Sequence, residues 1–387
     1  MSRVLIASAL AAAIVVPALA QNPQQVQTPP AAPPQVQGPG GGRGAQTPEM
    51  IKAARAREVE GQKQTDAAWR KASEGVMKME KITYKSTSKD GMMIPAFVFS
   101  PLQPRGPKGH PALVWVHPDI RGHVYEYYIP YVQEAVKRGY VVIAPEYRGS
   151  YGYGAEHYDA IDYGGEEVTD VTSATGYLKT MPIVDSERIG IIGWSHGGMI
   201  TLLSIEREVK MFKAAVAMVP VTNLFQRLAW NGVEQRKASI DPANRYGGLP
   251  HQNREEYKRR SPIYQIDAVE TPVLVHITKN DADVVYEEAA QLVDALRARK
   301  PFLSETKIYD NPLGGHLFDR MCPATLPGQG RRGGGAGAAG APPAAPDPTD
   351  LSRYVPTNTP EQRDSWNRVW TFLDWNLRPY QSAAPAK

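Results

Sequence analysis

Cysteine is nearly absent from this sequence: Cys322 is the only one in 387 residues. An internal disulfide is therefore excluded, and a chain of this length can rely on its core instead. No cysteine cluster and no His-x-x-x-His pair occur, which leaves a metal hydrolase without its usual ligands. Neither a metal nor a cofactor is expected. A surplus of one charge is also missing, since 44 Lys and Arg stand against 40 Asp and Glu for a formal net charge of +4. The two signs are mixed along the chain and no basic arm forms, so nothing electrostatic points to nucleic acid.

The one long apolar run stands at the start. Arg3 precedes Val4 to Val16, and Ala18-Leu19-Ala20 then offers a small-x-small site before Gln21. Residues 1–20 read as a secretory signal peptide, too short and wrongly flanked for a spanning helix. The expectation is an exported protein, periplasmic or secreted, with no stable membrane insertion once the signal is cut. Residues 21–47, rich in Pro, Gln and Gly, read as a disordered tether. Residues 48–80 have a charged, helix-favouring start and are expected to form a helical extension on the surface.

A catalytic domain is expected over 81–380. Lys81 to Ser88 and Met92 to Ser100 alternate as strands around the turn Lys89-Asp90-Gly91. Five short apolar runs follow, beginning at Ala112, Tyr140, Ile189, Ala214 and Val273. Continuous apolar strands belong to a sheet covered on both faces, the parallel kind. Helical patterns separate them, over Tyr125 to Lys137, Glu167 to Met181, Ile200 to Glu208, Tyr286 to Arg299 and Gln362 to Leu377. The fold class is thus α/β, a doubly wound and mostly parallel sheet behind an antiparallel hairpin. Residues 221–268 interrupt the rhythm as a small helical lid. Residues 323–350, mostly Gly, Ala and Pro, read as a disordered insertion.

Chemistry enters at Gly193-Trp194-Ser195-His196-Gly197. A bare Gly-x-Ser-x-Gly is a weak signal, but this one follows a buried strand directly and opens a helix. Strand, tight turn and helix make the nucleophile elbow of an α/β-hydrolase, with Ser195 exposed at the carboxyl end of the sheet. A serine needs a base, and the order in such enzymes is Ser, then acid, then His. Downstream, His276 lies within an apolar strand and His251 in the lid. His316 follows a strand on a glycine-rich loop and is the favoured base. Asp281 is the favoured acid after the strand Val273 to Ile277, and Asp283 remains an alternative. One oxyanion donor is expected from the amide of His196. The other should come from the loop His117-Pro118-Asp119-Ile120-Arg121-Gly122, through the Ile120 amide or the His117 imidazole. Trp194 and His196 flank the nucleophile and are expected to shape the acyl pocket, with Trp230 as a lid candidate for it. Arg148, at a strand end, reads as a structural ion-pair residue.

From about Ile82 to Leu377 the chain resembles the catalytic domain of the prolyl oligopeptidase family of serine peptidases. The resemblance is carried by Glu146-Tyr147-Arg148-Gly149-Ser150-Tyr151-Gly152-Tyr153-Gly154, by Asp185 to Gly198 around the nucleophile, and by Ser261-Pro262-Ile263. Thr271 to His276, Asp281-x-x-Val284 and Gly315-His316 follow in the family's order. It implies a triad of Ser195, Asp281 and His316 acting on a small peptide. Three departures stand out. Ile277 replaces a customary Gly, one extra residue precedes Asp281, and His117 occupies the place of a tyrosine that often completes the oxyanion hole. No β-propeller repeat precedes Ile82. The His117 to Gly122 run also looks like the corresponding loop of dienelactone hydrolases, which keeps an ester substrate open. A non-catalytic binding protein on the same scaffold is disfavoured, because all three triad positions are filled. Nothing in the residues fixes an oligomeric state.

Overall fold

The computed structural model describes residues 48–104, 109–231, 245–326 and 347–379. The expected signal peptide and tether lie outside the described residues, as do 327–346 of the expected insertion and 232–244 of the expected lid. Among the described residues no helix is long and apolar enough to cross a membrane.

Eight strands form one sheet: β1 (Lys78–Lys85), β2 (Met93–Ser100), β3 (His110–Val116), β4 (Val141–Pro145), β5 (Val184–Trp194), β6 (Ala214–Met218), β7 (Val273–Thr278) and β8 (Ser304–Tyr309). Their spatial order is β1-β2-β4-β3-β5-β6-β7-β8. β1, β2 and β4 pair antiparallel, and every later pairing is parallel. This is the mostly parallel α/β-hydrolase sheet that the run of apolar strands predicts. The first strand begins earlier than expected, at Lys78, because its ladder to β2 continues back to the pair Lys78 and Ser100. The expected domain boundary at residue 81 is therefore too late.

Helices cover both faces. In chain order they are α1 (Pro48–Ser73), α2 (Ile129–Arg138), α3 (Ala155–Asp159), α4 (Glu166–Thr180), α5 (His196–Arg207), α6 (Leu224–Asn231), α7 (Arg254–Arg259), α8 (Tyr286–Arg299) and α9 (Pro360–Leu377). Alternate strand residues feed two cores. Ala112, Val114 and Val116 of β3 pack with α4, α5 and α8, whereas Leu113 and Trp115 pack with α1, α2 and α9. The helical extension is not merely superficial. Trp69 of α1 is fully buried, tilted over Phe99 at 4.8 Å between ring centroids, and its indole donates to the Val124 carbonyl. The segment between β6 and β7, expected as a lid, also places Leu224, Leu228, Tyr246, Tyr257 and Ile266 in the first core.

One ion-pair cluster fastens the hairpin to the parallel sheet. The Arg148 guanidinium reaches Asp170 on α4 at 2.7 and 3.0 Å, and Asp90 in the hairpin turn at 3.0 and 3.1 Å. Burial would lower the Arg148 pKa, but the two carboxylates outweigh it and raise the net value. The family-like arginine is thus structural in its contacts. Replacing it strands Asp170, whose side chain is wholly buried. Arg148→Gln should lose about 3 kcal/mol or more of stability. Urea unfolding should show a lower midpoint at an unchanged slope.

Candidate active site

The elbow is built by what its glycines lack. A side chain at Gly193 would overlap the backbone of Gly197, and one at Gly197 would overlap the carbonyls of Val116 and His117. With both removed, α5 starts immediately beyond β5 and lies against the end of β3. Ser195 sits between them at φ 54° and ψ −116°, a conformation rare for a residue with a side chain. Its amide donates to the Met218 carbonyl at 2.9 Å and its carbonyl accepts from Val221 at 3.2 Å, so the end of β6 and the segment just after it hold the strained turn.

The base and acid come from the next strand ends. Nδ1 of His316 meets Oδ2 of Asp281 at 2.7 Å. The other oxygen of Asp281 accepts the amides of Asp283 and Val284, both at 2.8 Å, which fixes the carboxylate's direction. Gly315, at φ 50°, lets the histidine turn lie on the acid loop, since a Cβ there would stand 2.8 Å from the Asn280 carbonyl. Asp283 takes a different place. Its Oδ2 lies 3.6 Å from His316 Nε2, too far for a hydrogen bond, while Oδ1 pairs with Arg227 at 3.2 Å. Nε2 of His316 is buried and has no hydrogen bond among the described residues. Such bonds commonly tighten only with substrate. The Trp194 indole links the two parts by donating to the carboxylate of Asp319, three residues beyond His316.

Of the oxyanion candidates, two backbone amides and one imidazole behave differently. The His196 amide opens α5 at an end where helix N–H groups have no internal partner. The Ile120 amide has no acceptor among the described residues. The His117 imidazole, by contrast, is fully buried and occupied at both nitrogens. Nδ1 faces the Pro118 carbonyl at 2.8 Å and Nε2 the Ser150 hydroxyl at 2.9 Å. Burial pushes its pKa well down, so the ring is neutral. It holds the loop and is not free to act as an oxyanion donor. Trp194 also needs correction as a pocket residue. Ile192 and Trp194 share one face of β5, and the indole lies fully buried 4.8 Å from Trp115 and 4.5 Å from Tyr128. Trp230, on α6, is 64 % exposed.

Two buried glutamates behind the elbow escape sequence reading. Glu167 on α4 accepts the amides of Gly164 and Gly165 and meets His196 Nε2 at 3.2 Å. Burial alone would raise its pKa, but the hydrogen bond and charge of His196 bring it to about 2, so it is ionised. Tyr147 hydroxyl donates to the His117 and Asp119 carbonyls at 3.0 and 3.2 Å, fixing the oxyanion loop from the same side. Glu146 lies behind that loop, 3.6 Å from His117 Nε2, and burial pushes its pKa up to about 8. Nothing in the sequence distinguished these two acids from solvated ones. The core histidine His276 is as expected: it contacts Ser365 at 3.0 Å, and burial lowers its pKa to about 3. Among the described residues no group of His, Cys, Asp and Glu is placed to hold a metal ion.

Residues 127–319 match the prolyl oligopeptidase family. The chain is 31% identical over 250 residues to the uncharacterized peptidase YuxL of Bacillus subtilis, covering 62% of this chain and 36% of that one. It is 30% identical over 172 residues to the acylamino-acid-releasing enzyme of Mus musculus, covering 42% and 23%. The chain therefore spans about a third or less of the length of these relatives. Among solved structures it resembles a Mycobacterium tuberculosis puromycin-hydrolyzing peptidase, with a TM-score of 0.57 and 22% identity, covering 80% of this chain and 41% of that one. At that identity the likeness speaks for the fold.

Two outcomes test the geometry. Asp281→Asn should lower turnover of p-nitrophenyl acetate by roughly 10³ to 10⁴, as loss of the histidine's orienting acid does in Ser-His-Asp sites. Asp283→Asn should cost less than about tenfold, and the reverse ranking overturns the assignment of the acid. Glu146 supplies a pH test. Its folded pKa stands above its unfolded one, so between about pH 4.5 and 8 the folded state holds the extra proton and stability falls as pH rises. Glu146→Gln removes that titration. Its stability relative to wild type should climb across this window and level off beyond it, read by denaturant melts at stepped pH.

Proposed function

The chain belongs to the prolyl oligopeptidase family, and on that premise we propose that it is an exported serine peptidase cleaving small peptides through an acyl-enzyme on Ser195. The observation that carries the reading is the union of a strained elbow serine with a histidine aligned by Asp281 at 2.7 Å. Ser195 Oγ attacks the scissile carbonyl while His316 Nε2 takes its proton. Asp281 keeps the proton on Nδ1 and stabilises the imidazolium. The amides of His196 and Ile120 face the oxyanion, each worth about 3 kcal/mol of transition-state stabilisation. His316 then gives the proton to the leaving amine, which departs. Water, deprotonated by the same histidine, releases the acid product and restores Ser195.

Support for peptides over esters is the family together with the peptidase names of the relatives. Export is proposed from Arg3, the apolar run Val4 to Val16 and the Ala18-Leu19-Ala20 site.

A fluorophosphonate probe should label wild type and leave Ser195→Ala unlabelled. Equal labelling of both would remove Ser195 as nucleophile. Turnover of aminoacyl or prolyl nitroanilides should accompany labelling. Hydrolysis confined to p-nitrophenyl acetate would replace the peptidase reading with an esterase.

A further inference from the structure

Beside the oxyanion loop three arginines gather, two of them without an ion pair among the described residues. Tyr158, on α3, is sandwiched between two guanidinium groups, Arg55 at 3.3 Å and Arg121 at 3.9 Å from the ring centroid. Arg55 has its own partner in Glu58. Among the described residues Arg121 has no ion pair, and its Nη1 is buried without an acceptor. Among the described residues Arg245 donates to backbone alone, to the carbonyls of Ile161 and Asp159. Burial and the like charges of Arg245 and Arg55 both lower the Arg121 pKa, with Tyr158 and the exposed Asp159 offsetting part of that. A half-buried guanidinium with an unmet N–H, crowded by its own sign, costs stability unless an anion completes it.

Position says which anion. Arg121 directly follows Ile120, whose amide is the second oxyanion candidate. Gly149, at φ 93°, is wedged between the two segments. A Cβ there would stand 2.8 Å from Ile161 and 3.1 Å from the Ile120 carbonyl. Arg245, gripping Ile161, is thus brought close to the loop that receives the scissile carbonyl. A planar guanidinium fork matches a carboxylate.

We infer that Arg121 and Arg245 form a subsite for a carboxylate carried by the substrate, next to the oxyanion hole. This deepens the peptidase reading and takes its substrate class from it. The carboxylate comes either from an acidic side chain or from the peptide's own C-terminus.

The test uses the full chain carrying Ser195→Ala, so that binding is read without turnover. Fluorescein-labelled hexapeptides are compared by polarisation. One is neutral and amidated, one set carries a single Glu at each position in turn, and one is neutral with a free C-terminus. At least one carboxylate peptide should bind roughly tenfold tighter than the neutral one. Which one does so names the source of the carboxylate. Arg121→Gln and Arg245→Gln should each erase that contrast, and 0.5 M salt should shrink it. Should one variant fail to fold, the other decides. Equal Kd for every peptide, absence of binding, or a contrast indifferent to both substitutions overturns the subsite. Turnover of the same peptides by wild type is read separately. A binding contrast without cleavage sinks the peptidase reading and leaves the subsite standing.

Discussion

The hydrogen bond from the Trp194 indole to the Asp319 carboxylate joins what the sheet keeps apart. Nucleophile and base leave the sheet at β5 and β8, with β6 and β7 between them. Strand pairing alone does not bring such ends together. Trp194 precedes Ser195 and Asp319 follows His316 by three residues, so this one contact ties the strained turn to the histidine turn. Asp319 is fully buried, and burial raises its pKa, opposed by Arg320 and Trp194. Its other oxygen accepts from Arg320 at 3.0 Å, and its carbonyl takes Tyr131 and Trp366. A buried acid so fully satisfied holds its geometry. The second core, with α9 and its tryptophans, is therefore part of the support for catalysis.

Two other buried acids lie on the opposite side of the elbow in contrasting states. Glu167 touches His196 and two amides and stays ionised. Glu146 receives one amide, from Val124 at 3.2 Å, and stays neutral around pH 7. The contrast is one of donors, since both are wholly buried. Together they brace the two segments that carry the candidate oxyanion donors: Glu167 through the residue after the nucleophile, Glu146 behind the loop after β3.

The apolar strands, the hairpin and the elbow could be read from sequence because each has a local signature, whereas the spatial strand order could not. Apolar runs bounded by turns gave the strands, and Gly193 and Gly197 gave the close approach that the structure requires. Chain order brought Ser195, Asp281 and His316 forward. The choice between Asp281 and Asp283 was not local. It depends on a backbone turn in which Asp281 accepts the next two amides and so points its second oxygen at His316. Trp194 was misread although its parity was visible, for Ile192 and Trp194 must share a face. The His117 imidazole was misjudged because its partner, Ser150, is 33 residues away. Glu167 reaches His196 across 29 residues and Arg227 reaches Asp283 across 56, and no short motif carries such pairings.

The indoles of Trp115, Trp194 and Trp366 stand 4.8 to 6.1 Å apart directly beneath the nucleophile turn. Rings so close and so rigidly held absorb as a coupled set. Near-ultraviolet circular dichroism, which vanishes when fixed side-chain packing is lost, therefore carries a contribution from the floor of the active site. The protein carries its own optical gauge of whether that floor is intact.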